Sequence, residues 1–356
     1  MPRMPQSLPP GGSYIGEAVG ELLGIEGNLD APVTAVLPLG DRFAVTTGDG
    51  RVAFANRDFE TADVHQVHAG AVLSAVVRGE GILSGGDDGR VTLTTIDGIT
   101  DELWRAPPGR WIDHVAAGKS GVCAWACGNR VYLHMPGGKA LELEHASSIG
   151  GLAFAPKSAR LAVAHYGGVT VWDTAVHPPA MRRLEWKGMH LDISWSRDER
   201  FVVTAMQEGA LHGWRLTDAA DFQMSGYPTK PRSLDWSRKS DWLATSGANE
   251  ILLWSFKGPK GPMGTSPDVL SRRSAPIAQV AFHPLNAYVA AGFQDGAVLL
   301  ARQEDRRELM VRRAAGSPIT GLAWSADGRR LAYGTEDGRA SLADFSALEQ
   351  KKGKKA

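Results

Sequence analysis

The chain has 356 residues, and its 39 lysines and arginines balance 39 aspartates and glutamates, which gives a formal net charge of zero. A neutral chain lacks the basic excess typical of proteins that bind nucleic acid or membrane surfaces without specificity, so we expect neither kind of partner. Hydrophobic residues make up 43% of the sequence and charged residues 22%, a composition typical of globular proteins that excludes wholesale disorder.

The ends of the chain and its cysteines indicate a location inside the cell. Residues 1–12 contain no apolar stretch of the kind that a secretory signal needs, and no run of about 18 apolar residues occurs anywhere. Two cysteines, Cys123 and Cys127, are too few for a disulfide-stabilised secreted protein of this length. We therefore expect a cytoplasmic protein with a flexible N-terminal segment over 1–12 and a lysine-rich tail over 347–356.

Turn signals rich in glycine and aspartate recur along the chain, and each is followed by a short alternation of apolar residues. The intervals between them are about 40 residues, and a fixed period of about 20 to 50 residues is the signature of a repeat fold. The eight turn centres lie at positions 50, 89, 128, 168, 209, 249, 296 and 338. The sequence therefore predicts eight structural units.

Each unit contains three short strands, and a more polar stretch after the third supplies a fourth. The last unit shows the pattern over 319–324, 330–334 and 339–345, and fourth strands are predicted over 62–68 and 140–145. The first strands begin at Val33, Val72, Ile112, Ile149, Leu191, Leu234, Ile277 and Ile319. Because a four-stranded sheet buries its faces only against neighbouring sheets, we predict an all-β propeller of eight blades. Seven blades are the alternative, since the third unit is the least regular.

The last unit lacks a good fourth strand, because the residues after Phe345 are polar and rich in lysine. Residues 13–26, upstream of the first unit, contain enough apolar residues to supply one. Pairing this segment with the last unit would close the ring and cover an exposed sheet edge. We therefore place the propeller at residues 13–346, closed by an N-terminal strand.

Tryptophans recur at equivalent positions of the repeat. Trp195, Trp236 and Trp324 each end a first strand. A large aromatic side chain that recurs at one position of a repeat indicates packing between blades.

The second unit carries a histidine-bearing turn at His68, a strand of small residues and an Asp87-Asp88-Gly89 turn, and a later unit contains a Trp172-Asp173 dipeptide. Similar third-strand endings occur at 211–215 and 251–255. These features resemble the repeat of WD40 β-propellers, and the resemblance covers residues 30–346. It implies a propeller that acts through protein–protein contacts.

The resemblance also implies a hydrogen-bonded tetrad in a blade, made by a histidine, a serine or threonine, an aspartate and a tryptophan. His68, Ser84 and Asp88 occupy three of these positions in the second unit, with Thr94 in the place of the tryptophan. The other tetrad-like residues are His145, Trp172 and Asp173 in the fourth unit, where Tyr166 replaces the aspartate, and Thr204, Glu208 and Trp214 in the fifth.

The sequence carries no motif that indicates catalysis. A Gly-x-Ser-x-Gly nucleophile elbow and a phosphate-binding Gly-x-x-x-x-Gly-Lys-Ser/Thr loop are both absent. His65 and His68 project to opposite faces of a strand, and Cys123 with Cys127 makes an incomplete zinc set. We therefore expect no enzyme activity, no metal and no cofactor. The alternative is an enzyme or metal-handling accessory protein that uses channel-facing histidine, aspartate or cysteine side chains, such as those of His65, His190 and Cys123.

Candidate partner-binding residues lie in or beside the loops that precede first strands, on the face where WD40 propellers commonly bind partners. Exposed tryptophans anchor interfaces, and Trp111 and Trp186 both occupy such loops. The full candidate set is Trp111, Asp113, Trp186, His190, Asp192 and Arg232. The insertion at 255–273, rich in glycine, proline and lysine, offers a further contact. The resemblance thus implies a non-catalytic, monomeric scaffold that binds a protein or peptide.

Overall fold

The structure is a computed structural model that describes residues 24–55 and 62–346. These residues form 30 strands and one short 3₁₀ turn at Lys119–Gly121. The strands alternate with tight turns, many of which contain a glycine with positive φ, such as Gly50 and Gly89. Among the described residues, no helix has the length and apolar character needed to span a bilayer.

Five sheets contain four strands each, and the strands of each sheet are hydrogen-bonded in chain order. They are β2 to β5 (Val33–Leu39, Arg42–Thr47, Arg51–Ala55, Ala62–Gln66), β6 to β9 (Val72–Arg78, Gly81–Gly86, Arg90–Thr95, Thr100–Arg105), β10 to β13 (His114–Ala117, Cys123–Cys127, Arg130–His134, Leu141–Glu144), β20 to β23 (Leu234–Trp236, Trp242–Thr245, Glu250–Ser255, Asp268–Arg272) and β24 to β27 (Ile277–Phe282, Tyr288–Phe293, Val298–Arg302, Glu308–Arg312). A sixth four-stranded sheet joins β1 (Gly24–Asn28) to β28, β29 and β30 (Ile319–Trp324, Arg330–Thr335, Arg339–Asp344).

The seventh sheet has six strands and includes two unusually long ones. Its strands are β14 (Ile149–Phe154), β15 (Arg160–Asp173), β16 (Ala180–Trp195), β17 (Phe201–Met206), β18 (Leu211–Arg215) and β19 (Asp221–Met224). The first half of β15 pairs with β14 and its second half pairs with β16. The end of β16 then pairs with β17, so β16 serves both the fourth and the fifth predicted repeat, whereas both halves of β15 belong to the fourth.

The prediction of eight separate blades is therefore wrong, since the described residues form seven hydrogen-bonded sheets. The fourth and fifth repeats are both present, but they are joined through the continuous strand β16 instead of being separated by a loop. Glycines lie where these strands change partner: Gly168 has a φ of 136° and Gly188 a φ of 129°. Residues with a side chain rarely adopt such backbone angles, so glycine at these positions allows the strands to bend without ending.

The sheets pack face to face around a ring, with the first strand of each repeat innermost. Neighbouring first strands contact each other in chain order, and β2 of the first repeat contacts β28 of the last. The clusters of buried side chains lie between consecutive sheets; one joins Val33 and Phe43 of the first repeat to Ala332 and Leu342 of the last. The predicted all-β propeller of four-stranded blades is confirmed by this arrangement.

The recurring tryptophans at the ends of first strands connect each repeat to the one before it. All three are buried. The indole Nε1 of Trp195 donates to Ala153 O at 2.9 Å, that of Trp236 to Ser194 Oγ at 3.0 Å, and that of Trp324 to Ala281 O at 3.3 Å. The same side chain therefore supplies apolar contact and a directional hydrogen bond between blades.

An N-terminal strand lies at the outer edge of the last sheet. β1 pairs antiparallel with β30, with Gly24 opposite Ala343 and Asn28 opposite Arg339. The carboxylate of Glu26 accepts hydrogen bonds from Arg339 Nη1 at 2.7 Å and from the Ser341 hydroxyl at 3.2 Å. Residues 13–23 of the segment predicted to supply this strand lie outside the described residues, as do the predicted 1–12 segment and 347–356 tail.

Removal of residues 1–28 should lower the melting temperature by about 5 °C or more, because it leaves the edge of β30 unpaired. Removal of residues 1–23 alone keeps β1 and is the matched control, for which we expect a change of at most about 2 °C. Circular dichroism gives both melting temperatures, and size-exclusion chromatography detects aggregation at the exposed edge. Equal melting temperatures for the two truncations would contradict a closing role for β1.

Candidate functional site

One end of the ring, here called the loop face, collects the loops that join successive repeats and the turns between second and third strands. Backbone hydrogen bonds hold each loop to a turn, as from Gly48 N to Pro32 O at 2.8 Å and from Gln294 N to Pro276 O at 2.9 Å. The loops are residues 29–32, 67–71, 106–113, 145–148, 225–233, 273–276 and 313–318. Because the turns fix the loops, this face is a rigid surface on which side chains keep defined positions.

Trp111 and Asp113 project from a loop that is anchored by the residue between them. Ile112 is fully buried, and its amide donates to Gly86 O at 3.1 Å. Gly85 leaves the space that the Ile112 side chain fills, since a Cβ at Gly85 would collide with it. Trp111 is 59% exposed and Asp113 is exposed, so this anchored loop presents a large aromatic ring to solvent.

Trp186 and His190 face inward instead. The Trp186 ring is half-buried and stacks on His212 with centroids 3.9 Å apart. His190 is fully buried; its Nε2 donates to Trp186 O at 3.1 Å, and its Nδ1 lies 2.7 Å from Thr204 Oγ1. Burial lowers the pKa of His190. The His190 ring therefore supports the blade and offers no surface to a partner.

Asp192 and Arg232 lie nearer the centre of the ring. Asp192 is on the innermost strand of its repeat, and its side chain is exposed. The surrounding protein nevertheless removes part of the hydration of its carboxylate, and this desolvation raises its pKa to about 6. Arg232 is exposed and lines a cavity of about 900 Å³ on the loop face together with Lys230, Glu208 and Glu336. The six predicted residues thus do not form a single pocket: Trp111, Asp113 and Arg232 offer exposed side chains on the loop face, whereas His190 is internal.

The tetrad-like residues of the second repeat come together in a buried network. His68 Nδ1 lies 2.9 Å from Asp88 Oδ1, and His68 Nε2 lies 2.9 Å from Ser84 Oγ. Ser84 Oγ is 2.9 Å from the hydroxyl of Thr92, which completes the network, whereas Thr94, opposite Ile82 on β7, takes no part in it. Burial lowers the pKa of His68 although Asp88 opposes that effect.

In the fourth repeat the histidine and the tryptophan bond directly. Trp172 Nε1 donates to His145 Nε2 at 3.2 Å, and His145 Nδ1 lies 3.2 Å from Leu143 O. Burial, reinforced by nearby His165, lowers the pKa of His145 to about 4, so the ring is neutral at pH 7. Asp173 accepts a hydrogen bond from Ala175 N at 3.0 Å and belongs to a local turn rather than to this pair.

In the fifth repeat the predicted set is only partly assembled. Thr204 bonds with His190, and the buried Trp214 ring lies 5.5 Å from that histidine. Glu208 is exposed on the loop face and takes no part in a hydrogen bond among the described residues.

The sixth repeat contains a comparable network that the sequence did not predict, because a tyrosine replaces the histidine. Tyr227 is buried; its hydroxyl lies 2.8 Å from Thr245 Oγ1 and accepts from Trp254 Nε1 at 2.7 Å. Burial raises the pKa of Tyr227 to about 12. The available signal was spacing, since Tyr227 precedes Trp254 by 27 residues, as His145 precedes Trp172.

The histidine and cysteine side chains that the sequence offered as candidate metal ligands are distributed over several repeats of the ring. In the described part of the chain, no group of three or more histidine, cysteine, aspartate or glutamate residues is arranged to hold a metal ion. His65 packs against Phe54 on an outer strand, away from the His68 network. Burial raises the pKa of both cysteine thiols, and Cys123 Sγ lies 3.9 Å from His134 Nδ1. Both cysteines are therefore protonated thiols at neutral pH.

Replacement of Tyr227 by phenylalanine should lower the free energy of unfolding by about 1–3 kcal/mol, because Trp254 Nε1 and the Thr245 hydroxyl lose their buried partner. Tyr166→Phe is the matched control, since Tyr166 is 53% exposed and should tolerate the change within about 0.5 kcal/mol. Urea denaturation of both variants measures the difference. A similar small loss in both would show that the Tyr227 network contributes nothing to stability.

Acidification should remove stability that His145 provides while neutral. Its pKa in the folded state, about 4, is depressed below the unfolded value near 6.5, so the unfolded chain takes up the proton first as the pH falls. Between pH 7 and pH 5 we expect this residue to cost about 2 kcal/mol of folding free energy. The difference in the free energy of unfolding between wild type and His145→Gln should therefore become smaller toward pH 5, as measured by urea denaturation at each pH. A difference that does not change with pH would refute this role.

Comparisons with known proteins point to one family. The WD40 domain of anaphase-promoting complex subunit 4 is the family whose model matches, over residues 276–351. Curated relatives include a periodic tryptophan protein 2 homolog of Dictyostelium discoideum, 20% identical over 249 residues, which are 68% of this chain and 26% of that protein. Another is WD repeat-containing protein SL1-17 of Schistosoma mansoni, 24% identical over 154 residues, which are 42% of this chain and 50% of that protein. The matched regions thus span about a quarter and a half of these relatives.

Among solved structures, the crystal structure of the computationally designed Ika8 protein superposes with a TM-score of 0.74. The match covers 89% of this chain and 97% of the designed one at 17% sequence identity, so it shows likeness of fold alone. The repeat motifs, the ring of antiparallel sheets and the family match agree with one another. This chain is a β-propeller whose repeats are similar to those of WD40-repeat proteins.

Proposed function

We propose that this propeller is a non-catalytic scaffold that binds a protein or peptide partner through its loop face. The observation that carries the proposal is the exposure of Trp111 on that face, 59% of its surface, next to a backbone that Ile112 anchors. Tryptophan is the residue most enriched in the energetic centres of protein interfaces. A rigidly mounted, exposed tryptophan is therefore suited to anchor a partner.

Trp111 is accompanied by other large apolar side chains on the same face. Tyr166, 53% exposed, lies at the bend of β15, and Leu73, 40% exposed, lies at the start of β6. The three side chains come from three successive repeats of the ring. Single exposed apolar residues are common on any protein, but aromatic residues repeated along one face favour an interface.

The charged residues around these side chains are of both signs. Arg110, Asp113 and Arg232 are exposed on the loop face, and Glu208 and Lys230 border the cavity that Arg232 lines. A polar rim of mixed charge around aromatic anchors is the usual anatomy of a protein interface. A surface for nucleic acid would instead need an excess of cations.

The histidines support a structural rather than a catalytic role. His68, His145 and His190 are buried within blades, and burial lowers the pKa of each. Their ring nitrogens already bond to side chains or carbonyl oxygens of the same repeat region. A general base must instead reach a substrate with a free nitrogen. The cytoplasmic location and the monomeric state expected from the sequence belong to this proposal as well.

Replacement of Trp111 by alanine should lower the affinity for the partner by at least about 10-fold while the melting temperature stays unchanged. Affinity purification of the tagged full chain from its native cell identifies proteins bound to wild type by mass spectrometry. The recovered protein is then purified and its Kd is measured against wild type and each variant. Arg232→Ala tests whether the same partner also reaches the cavity that Arg232 lines.

Ile99→Ala is the matched control, because Ile99 is 61% exposed but lies in a turn on the opposite end of the ring. We expect this variant to bind as wild type does. Binding through the loop face would be refuted if Trp111→Ala bound the partner as tightly as wild type does, or if Ile99→Ala lost as much affinity as Trp111→Ala.

A further inference from the structure

The end of the ring opposite the loop face contains a groove of about 1220 Å³. It lies between the sheet β20–β23 and the sheet β24–β27, where the turns between first and second strands emerge. The insertion that follows β22 borders it through Lys257. The groove is therefore separate from the cavity that Arg232 lines and from the surface around Trp111.

The floor of the groove is apolar. Phe282 and Tyr288 are buried there, Trp242 is half-buried, and Leu285 is 53% exposed. Leu285 is among the most exposed large apolar side chains in the described part of the chain. A solvent-exposed leucine beside partly covered aromatic rings leaves apolar surface for another side chain to bury.

One wall of the groove is basic. Arg238 and Lys239 are exposed neighbours in the turn 237–241 and form no ion pair with any described residue. Lys257 is exposed, and its Nζ lies 4.8 Å from the centre of the Trp242 ring. Three cations on one wall thus face solvent without a carboxylate partner among the described residues.

The other charged groups at the groove are largely committed to partners. Arg302 Nε donates to Asp305 at 2.6 Å, and Asp268 accepts from Arg306 Nη2 at 2.6 Å. Asp241 on the basic wall and Glu304 on the opposite wall are the remaining carboxylates among the described residues that line the groove. The uncommitted charge that an incoming segment would meet is therefore positive overall, and strongest at Arg238 and Lys239.

We propose that this groove is a second docking site, which takes an extended acidic peptide segment of another protein. An apolar side chain of the peptide would lie on Leu285 and Trp242, and its carboxylates would pair with Arg238, Lys239 and Lys257. Charge complementarity of this kind fixes orientation and accelerates association more than it adds affinity. With a partner on each face, the propeller would bridge two proteins.

The test uses a fluorescein-labelled peptide of about twelve residues composed of Asp, Glu, Leu and Phe, titrated with the full chain and followed by fluorescence anisotropy. The comparison peptide has lysine in place of every acidic residue. We expect saturable binding of the acidic peptide alone, weakened at high salt because the charges are solvent-exposed. Absence of saturable binding, or equal affinity for the two peptides, would overturn the proposal.

Charge reversal in the double variant Arg238→Glu and Lys239→Glu should lower the affinity for the acidic peptide by at least about 10-fold. The same charge change on the loop face, Lys230→Glu with Arg232→Glu, is the matched control and should leave its Kd unchanged. Leu285→Ala should weaken binding several-fold without changing the salt dependence. Unchanged binding in the Arg238 and Lys239 variant, with its melting temperature intact, would overturn the proposal; Trp111→Ala tests the loop face independently.

Discussion

The constraint on which the rest of the structure depends is that a four-stranded sheet has two apolar faces and can cover neither by itself. Each sheet is stable only when a neighbour packs on both sides, which makes a closed ring the natural solution. The buried tryptophans at the ends of first strands reinforce this contact, because each indole also donates a hydrogen bond to the preceding repeat. Packing between blades therefore sets the positions of the loops and turns at both ends of the ring.

Burial between blades also decides the chemistry of the polar residues. The ring nitrogens of His68 and His145 are taken up by partners inside the blades, and their pKa values are lowered because the charged form loses hydration. Tyr227 serves the sixth repeat in the same way with a hydroxyl in place of an imidazole. What these positions share is a buried hydrogen-bonding group, not one residue type, and the network varies from blade to blade because several side chains meet that requirement.

The two ends of the ring differ in the surfaces they offer. The loop face carries exposed aromatic side chains, above all Trp111, within a rim of mixed charge. The opposite end carries a groove with an apolar floor at Leu285 and a basic wall at Arg238 and Lys239. A rigid ring keeps these surfaces apart, which suits a protein that holds two partners at once.

The sequence by itself determined the repeat of about 40 residues, the four-stranded unit and the start of most first strands, because glycine turns and apolar alternation act over a few residues. The resemblance to WD40 repeats also implied that His68, Ser84 and Asp88 belong to one network, and the structure shows their hydrogen bonds. Only the tertiary structure decided that the fourth and fifth repeats share one sheet, since a strand's partners depend on what packs beside it. Likewise, the burial of His190 and the exposure of Trp111 arise from contacts between distant segments, which no local pattern contains.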